Sequence, residues 1–171
     1  MGYNVLRLAE SLLKLSLLPL RWTYVSWGYC PSCGCRSMFL YSHAIHKWFV
    51  KTVAGWKLSD RFKAQLIERE NYLCGNCGAN FRMRSHAEAV LQSLSMSNTL
   101  DLVRRLRRDG SFRMYETAAQ GVFRNRQITG SGKYIVSEYF DGAEPGSMVQ
   151  GVRNENLESL TFPDNSFDVV I

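Results

Sequence analysis

Apolar and polar positions along the chain follow two rhythms, one helical and one short. Leu6, Leu13, Leu17 and Leu20 recur at helical spacing, and Val5, Leu8, Leu12 and Leu15 widen the apolar face. This pattern predicts an amphipathic helix and its exit over residues 1–25, with Pro19 ending it. Ser59 suits the N-cap of a second helix running to about Glu70, with Phe62, Leu66 and Ile67 facing inward. A third pattern, over 86–108, carries Ala89, Val90 and Leu94, then Leu100, Leu102, Val103 and Leu106. It breaks near Ser95–Asn98, where small polar residues cluster, so a helix pair fits as well as one helix. Asp109–Gly110 then stops the helix and turns the chain.

Beyond Gly110 the rhythm shortens. Phe112–Tyr115, Tyr134–Val136, Met148–Val152 and Phe167–Ile171 are rich in β-branched and aromatic residues. A helix-compatible stretch and turns at Gly130–Gly132, Gly142–Gly146 and Pro163–Asp164 separate them. Strand, crossover, strand, loop, strand, loop, strand is the opening pattern of an α/β domain. Three segments are expected: a helix over 1–25, a cysteine-bracketed module with helices over 26–108, and an α/β portion over 109–171.

Charge sharpens this division. Residues 1–100 hold twelve Lys and Arg against five Asp and Glu, whereas residues 101–171 hold nine against ten. The basic excess therefore sits in the first part, where a basic face can attract nucleic acid or anionic lipid. Arg7, Glu10, Lys14 and Arg21 interrupt the leucine-rich start, leaving no uncharged stretch near the roughly 20 residues needed to span a bilayer. With no secretory leader pattern either, a cytoplasmic, reducing location is expected.

In such a compartment paired cysteines serve more often as metal ligands than as disulfides. Cys30-Pro31-Ser32-Cys33 and Cys74-Gly75-Asn76-Cys77 are two C-x-x-C knuckles, followed by Gly34 and Gly78. Two residues between thiolates let the backbone curl until both sulfurs reach one ion at about 2.3 Å, and glycine behind accommodates positive φ. Two such turns make a closed four-cysteine site, which is structural because it leaves no position for substrate. Zinc is the metal these ligands favour; iron or an iron–sulfur cluster uses the same thiolates. Cys35, His43 and His46 are the substitute ligands nearby.

The second knuckle with its following Arg82-Met83-Arg84 resembles the zinc knuckle that precedes the catalytic domain of some class I S-adenosylmethionine-dependent methyltransferases. Ser137-Glu138-Tyr139-Phe140, and Asn156-Leu157-Glu158-Ser159-Leu160-Thr161-Phe162-Pro163-Asp164-Asn165-Ser166-Phe167-Asp168-Val169-Val170-Ile171, resemble the middle of such a domain. The likeness covers roughly residues 70–171. It implies an α/β fold in which an N-terminal helix and zinc ribbon precede the first half of a Rossmann-like methyltransferase sheet. It also implies two cofactors, S-adenosylmethionine and a structural Zn2+.

In that family an acid after the first strand starts the glycine-rich loop, a role the resemblance gives to Glu116, with Gly121 in the loop. Glu138 would accept from both ribose hydroxyls. Asn156 would contact the adenine amino group in place of the usual Asp, and Leu157 would lie against the adenine ring. The loop Glu116-Thr117-Ala118-Ala119-Gln120-Gly121 has one glycine where the family has two or three. The pattern also stops inside the fourth strand, so a fragment is expected, inactive alone, with its catalytic groups unidentified.

The function implied is methyl transfer from S-adenosylmethionine to an unidentified acceptor. The alternative is a zinc-ribbon module that binds nucleic acid or a protein without catalysis. Arg104, Arg105, Arg107 and Arg108 support the nucleic-acid version, although they spread around a helix and lack interleaved aromatics for stacking. Trp22, Trp27, Trp48 and Trp56 support the interaction version, and burial in a small core accounts for them equally well. Cys74→Ser should abolish metal retention and cooperative folding of the first hundred residues, as read by metal content and thermal unfolding. A well-folded, metal-free variant would contradict the metal reading.

Overall fold

The computed structural model describes residues 22–171. The helix expected over 1–25 lies outside the described residues, except for 22–25, which enter the first strand. The described chain forms two compact units, one of residues 22–29 and 36–82, the other of residues 30–35 and 83–171.

In the first unit, β1 (Trp22–Cys30), β2 (Cys35–Ser42) and β3 (Tyr72–Cys74) form a sheet in that order. β2 and β3 are antiparallel, with Phe39 opposite Cys74 and Tyr41 opposite Tyr72. Two helices, α1 (His43–Ala54) and α2 (Asp60–Asn71), fill the connection between them. Each begins at a serine: Ser42 Oγ accepts from the Ile45 amide and Ser59 Oγ from the Phe62 amide, both at 3.3 Å. α2 follows its expected course, but Phe62 is half exposed instead of inward. No element was expected over 35–55, because its dense aromatic and β-branched residues suit strand and helix alike. Val53, Cys74 and Ala79 are the buried apolar side chains of this unit among the described residues.

The second unit contains α3 (Phe81–Ser93) from Met83 onward, α4 (Thr99–Arg108), β4 (Met114–Glu116), the short α5 (Arg126–Thr129) and β5 (Tyr134–Glu138). β6 (Met148–Val149), β7 (Val152–Asn154) and β8 (Val169–Val170) follow, and the sheet order is β6-β7-β5-β4-β8. β7, β5, β4 and β8 run parallel, and β6 is antiparallel to β7. The helix pair breaks where expected: Asn98 Oδ1 caps α4 by accepting from the amides of Leu100 and Asp101. The run Met148–Val152, expected as one strand, is a hairpin. Gln150 and Gly151 both take positive φ, +50° and +83°, and this two-residue turn folds Val149 back onto Val152.

α4 shows why its sequence alternates as it does. Leu102, Val103 and Leu106 join Ala87 and Leu91 of α3 in one buried cluster with Phe112, Met114, Phe123, Ile128 and Tyr134. Burying each large apolar side chain contributes about 1.5–3 kcal/mol. The apolar stripe over 86–108 thus packs with the strands that follow it, whereas the sequence grouped it with the cysteine module. Periodicity reveals that a face is apolar, not which partner it covers. Downstream, Phe162 and Phe167 pack on Tyr115 at ring distances of 5.0 and 5.2 Å. Asp168 anchors the start of β8: its Oδ2 accepts from the Arg113 amide at 2.8 Å, and its own amide donates to the Arg113 carbonyl at 2.9 Å. No helix among the described residues is long and apolar enough to cross a membrane.

Candidate functional site

The thiols of Cys30, Cys33, Cys74 and Cys77 all lie within 4.8 Å of one another. The edge of a tetrahedron of sulfurs about 2.3 Å from a central ion is about 3.8 Å, so the donor set fits a metal ion. The first three cysteines are buried and Cys77 is partly so. Cys35 is exposed, with its thiol directed to the Cys33 carbonyl at 3.8 Å, and it stands outside the cluster. His43 and His46 are outside it too, and His46 Nδ1 pairs with the Tyr41 hydroxyl.

Each knuckle closes in the same way. Gly34 and Gly78 take φ of +75° and +74°, and their amides donate to the carbonyls of Cys30 and Cys74, both at 2.8 Å. The Cys30–Cys33 turn is latched by groups of its own unit. Thr99 Oγ1 donates to the Pro31 carbonyl at 2.6 Å, Asn125 Nδ2 to the Cys33 carbonyl at 2.8 Å, and the Arg124 amide to the Ser32 carbonyl at 2.8 Å. The buried Ser32 hydroxyl donates to the Val122 carbonyl. A Cβ on Gly34 would lie 3.1 Å from Thr99 Cβ, so this turn also needs the missing side chain. The Cys74–Cys77 turn is held by amide donation from Gly75 to the Met38 carbonyl at 2.8 Å and from Asn76 to Ser37 Oγ at 3.0 Å. Ser32, Ser37, Thr99 and Asn125 were not anticipated. Their role comes from long-range contacts that no local spacing encodes.

In the second unit, the residues the resemblance singled out lie on or just beyond the carboxyl edge of the parallel strands. Glu116 ends β4 and Glu138 ends β5. Asn156 follows β7 by two residues, and its Oδ1 accepts from the Glu158 amide at 2.9 Å. Leu157 beside it is exposed. Glu138 is exposed, opposite Asn154 across the β5–β7 pair, with Oε1 accepting from the Tyr139 amide at 3.2 Å. Next to this edge Glu155 is buried. Burial opposes its ionisation, but Thr161 and Arg153 outweigh that and hold its carboxyl below the usual range. Arg153 Nε donates to it at 2.6 Å and the Thr161 amide at 2.9 Å.

Glu116 organises the loop that follows it. Its buried Oε2 accepts from the Val122 amide at 2.8 Å and from the Tyr134 hydroxyl. Burial pushes this carboxyl above its usual range, and the Tyr134 and Val122 donors offset only part of the shift. The Tyr134 hydroxyl is pushed up as well, by its own burial first and then by Glu116. Gly121 lies between them with φ +57°, and a Cβ there would meet the Tyr134 hydroxyl oxygen at 2.6 Å. The loop's one glycine thus stands where backbone and hydroxyl approach closely. Tyr134 was expected only as a strand residue.

The four arginines of α4 are exposed around the buried Leu102, Val103 and Leu106. Arg104 pairs with Asp101 at 2.8 Å and Arg105 with Asp109 at 3.0 Å. An open groove of about 780 Å³ runs beside them, and none of its lining residues belongs to the carboxyl edge or the cysteine cluster. Scanning protein-family models, the curated proteins and the solved structures yields no match to this chain.

The loop geometry generates a paired prediction. Gly121→Ala should cost at least about 2 kcal/mol, combining a left-handed backbone with the Tyr134 clash. Gly132→Ala has φ +69° but open space around it, and should cost only roughly 1 kcal/mol. Urea unfolding of both variants at equal metal content measures the difference. Equal costs would remove the Glu116–Tyr134–Gly121 contact as the loop's organiser.

Proposed function

We propose that the chain carries the S-adenosylmethionine-binding front of a class I methyltransferase, together with a structural zinc held by Cys30, Cys33, Cys74 and Cys77. The observation that carries this reading is the strand order. Taking the parallel strands β4, β5, β7 and β8 as first to fourth, their order across the sheet is third, second, first, fourth. That is the order in half of a doubly wound sheet, where ligands bind at the carboxyl ends near the switch between the first and fourth strands. Glu116, Gly121, Glu138, Asn156 and Leu157 belong to that end.

Each residue has work suited to its position. Glu138, exposed at the end of β5, is free of burial cost and can accept from two vicinal hydroxyls of a ribose. Asn156 offers a carboxamide for an exocyclic amine, and Leu157 an apolar surface for a purine ring. Glu116 sets the course of the loop through Gly121, so that backbone, not side chain, borders the site. Bound S-adenosylmethionine would supply an electrophilic methyl on a sulfonium. The protein's part is alignment and exclusion of water, and some acceptors need no general base. The acceptor is unassigned. Zinc suits four thiolates in a closed set, and a reducing compartment suits thiols kept for a metal.

The test is binding, since it needs no acceptor. The chain should bind S-adenosylmethionine in equilibrium dialysis, and Glu138→Ala should weaken binding about tenfold or more, the equivalent of a lost charged hydrogen bond. Glu158→Ala, exposed beyond the site, should leave it unchanged. No binding by the parent, or equal binding by the Glu138 variant, would contradict the proposal.

A further inference from the structure

α1 presents side chains that its own unit does not cover. Trp48 is 62% exposed and Trp56, just past the helix, 46%. Phe49 connects them, with ring centroids 5.8 Å from Trp48 and 6.4 Å from Trp56. The inner side of the helix is made by Val53, buried, and by Ile45 and Phe49, partly so, leaving Trp48 outward beside Lys47 and Lys51. Lys57 follows Trp56 and is exposed, and Lys63 Nζ donates to the Ala54 carbonyl at 3.4 Å, at the end of the helix. Between Glu10 and Asp60 the sequence contains no Asp or Glu and six Lys and Arg. The aromatic patch is therefore bordered by cations, with no acid on its helix.

We propose that this face docks the protein onto an anionic lipid surface. Tryptophan prefers the headgroup level, where its ring is apolar and its N–H stays wet. Lysines beside it gain from the negative potential of such a surface. The same patch suits a nucleic acid less well. Its cations are lysines without the planar fork of arginine, and its rings meet at tilted and edge-on angles, 52° and 70°, instead of standing apart as parallel platforms for bases. The proposal is independent of the methyltransferase reading, which concerns the other unit.

The experiment uses the full chain loaded with zinc, mixed with vesicles of phosphatidylcholine alone or of phosphatidylcholine with phosphatidylserine. Cosedimentation should occur with the anionic vesicles and weaken as salt rises, accompanied by a blue shift of tryptophan emission. Trp48→Ala/Trp56→Ala should lower partitioning at least about tenfold and abolish most of the shift. Lys47→Glu/Lys51→Glu, at exposed positions that leave the rings intact, should lower partitioning by about tenfold or more. Zinc content equal to the parent's certifies that each variant is folded. Absence of binding to anionic vesicles would overturn the proposal. So would binding unchanged in the lysine variant, which would place the attachment elsewhere on the chain, or a preference for duplex nucleic acid over vesicles.

Discussion

Four thiols whose sulfurs lie within 4.8 Å of one another cannot all ionise without a cation among them. Two unit charges about 4 Å apart repel by about 4 kcal/mol at an effective dielectric near 20, and four thiolates make six such pairs. A divalent ion reverses the sign of that term, and its binding free energy becomes folding free energy. The residues around the cysteines fit this dependence. The unit that carries Cys74 and Cys77 buries Val53, Cys74 and Ala79 among its described apolar side chains. The turns that carry the thiols are closed by glycines at positive φ and fixed by hydrogen bonds from Thr99, Asn125 and Ser32 on one side and to Ser37 and Met38 on the other.

The α/β unit follows a different logic, in which packing supplies the stability and one buried carboxylate supplies the geometry. The apolar stripe of α4 and the strands β4 and β5 share a continuous core. Burying Glu116 costs free energy that its two donors only partly offset, and the return is a loop held at a defined height above the strand ends. Glu138, at the end of the neighbouring strand, has the opposite character: it is exposed and its Oε1 accepts only from the adjacent Tyr139 amide among the hydrogen bonds described.

The cysteine pairs were legible in the sequence because two residues between thiolates is a local constraint and duplication makes it specific. So were the cap at Ser59, the break at Asn98 and the strand ends at Glu116 and Glu138, each marked by residues within one turn or strand. Long-range partners were not legible. Tyr134 reads as one aromatic strand residue among several, yet its hydroxyl reaches Glu116. Ser32 and Asn125 carry no local signature for the contacts they make some ninety residues away. α1 was missed because His43–Ala54 carries residues common to both secondary structures, and Gln150 hid a turn because positive φ is not expected of it. The α/β class is observed; the methyl-transfer activity is a proposal that rests on strand order and on the residues at the sheet's edge.

X-ray absorption at the metal edge of the purified full chain reads the ligand shell of the four cysteines itself. One zinc per chain with a first shell of four sulfurs at about 2.3 Å is expected. A chain that folds cooperatively after complete removal of metal, or a shell containing nitrogen or oxygen in place of sulfur, would contradict it.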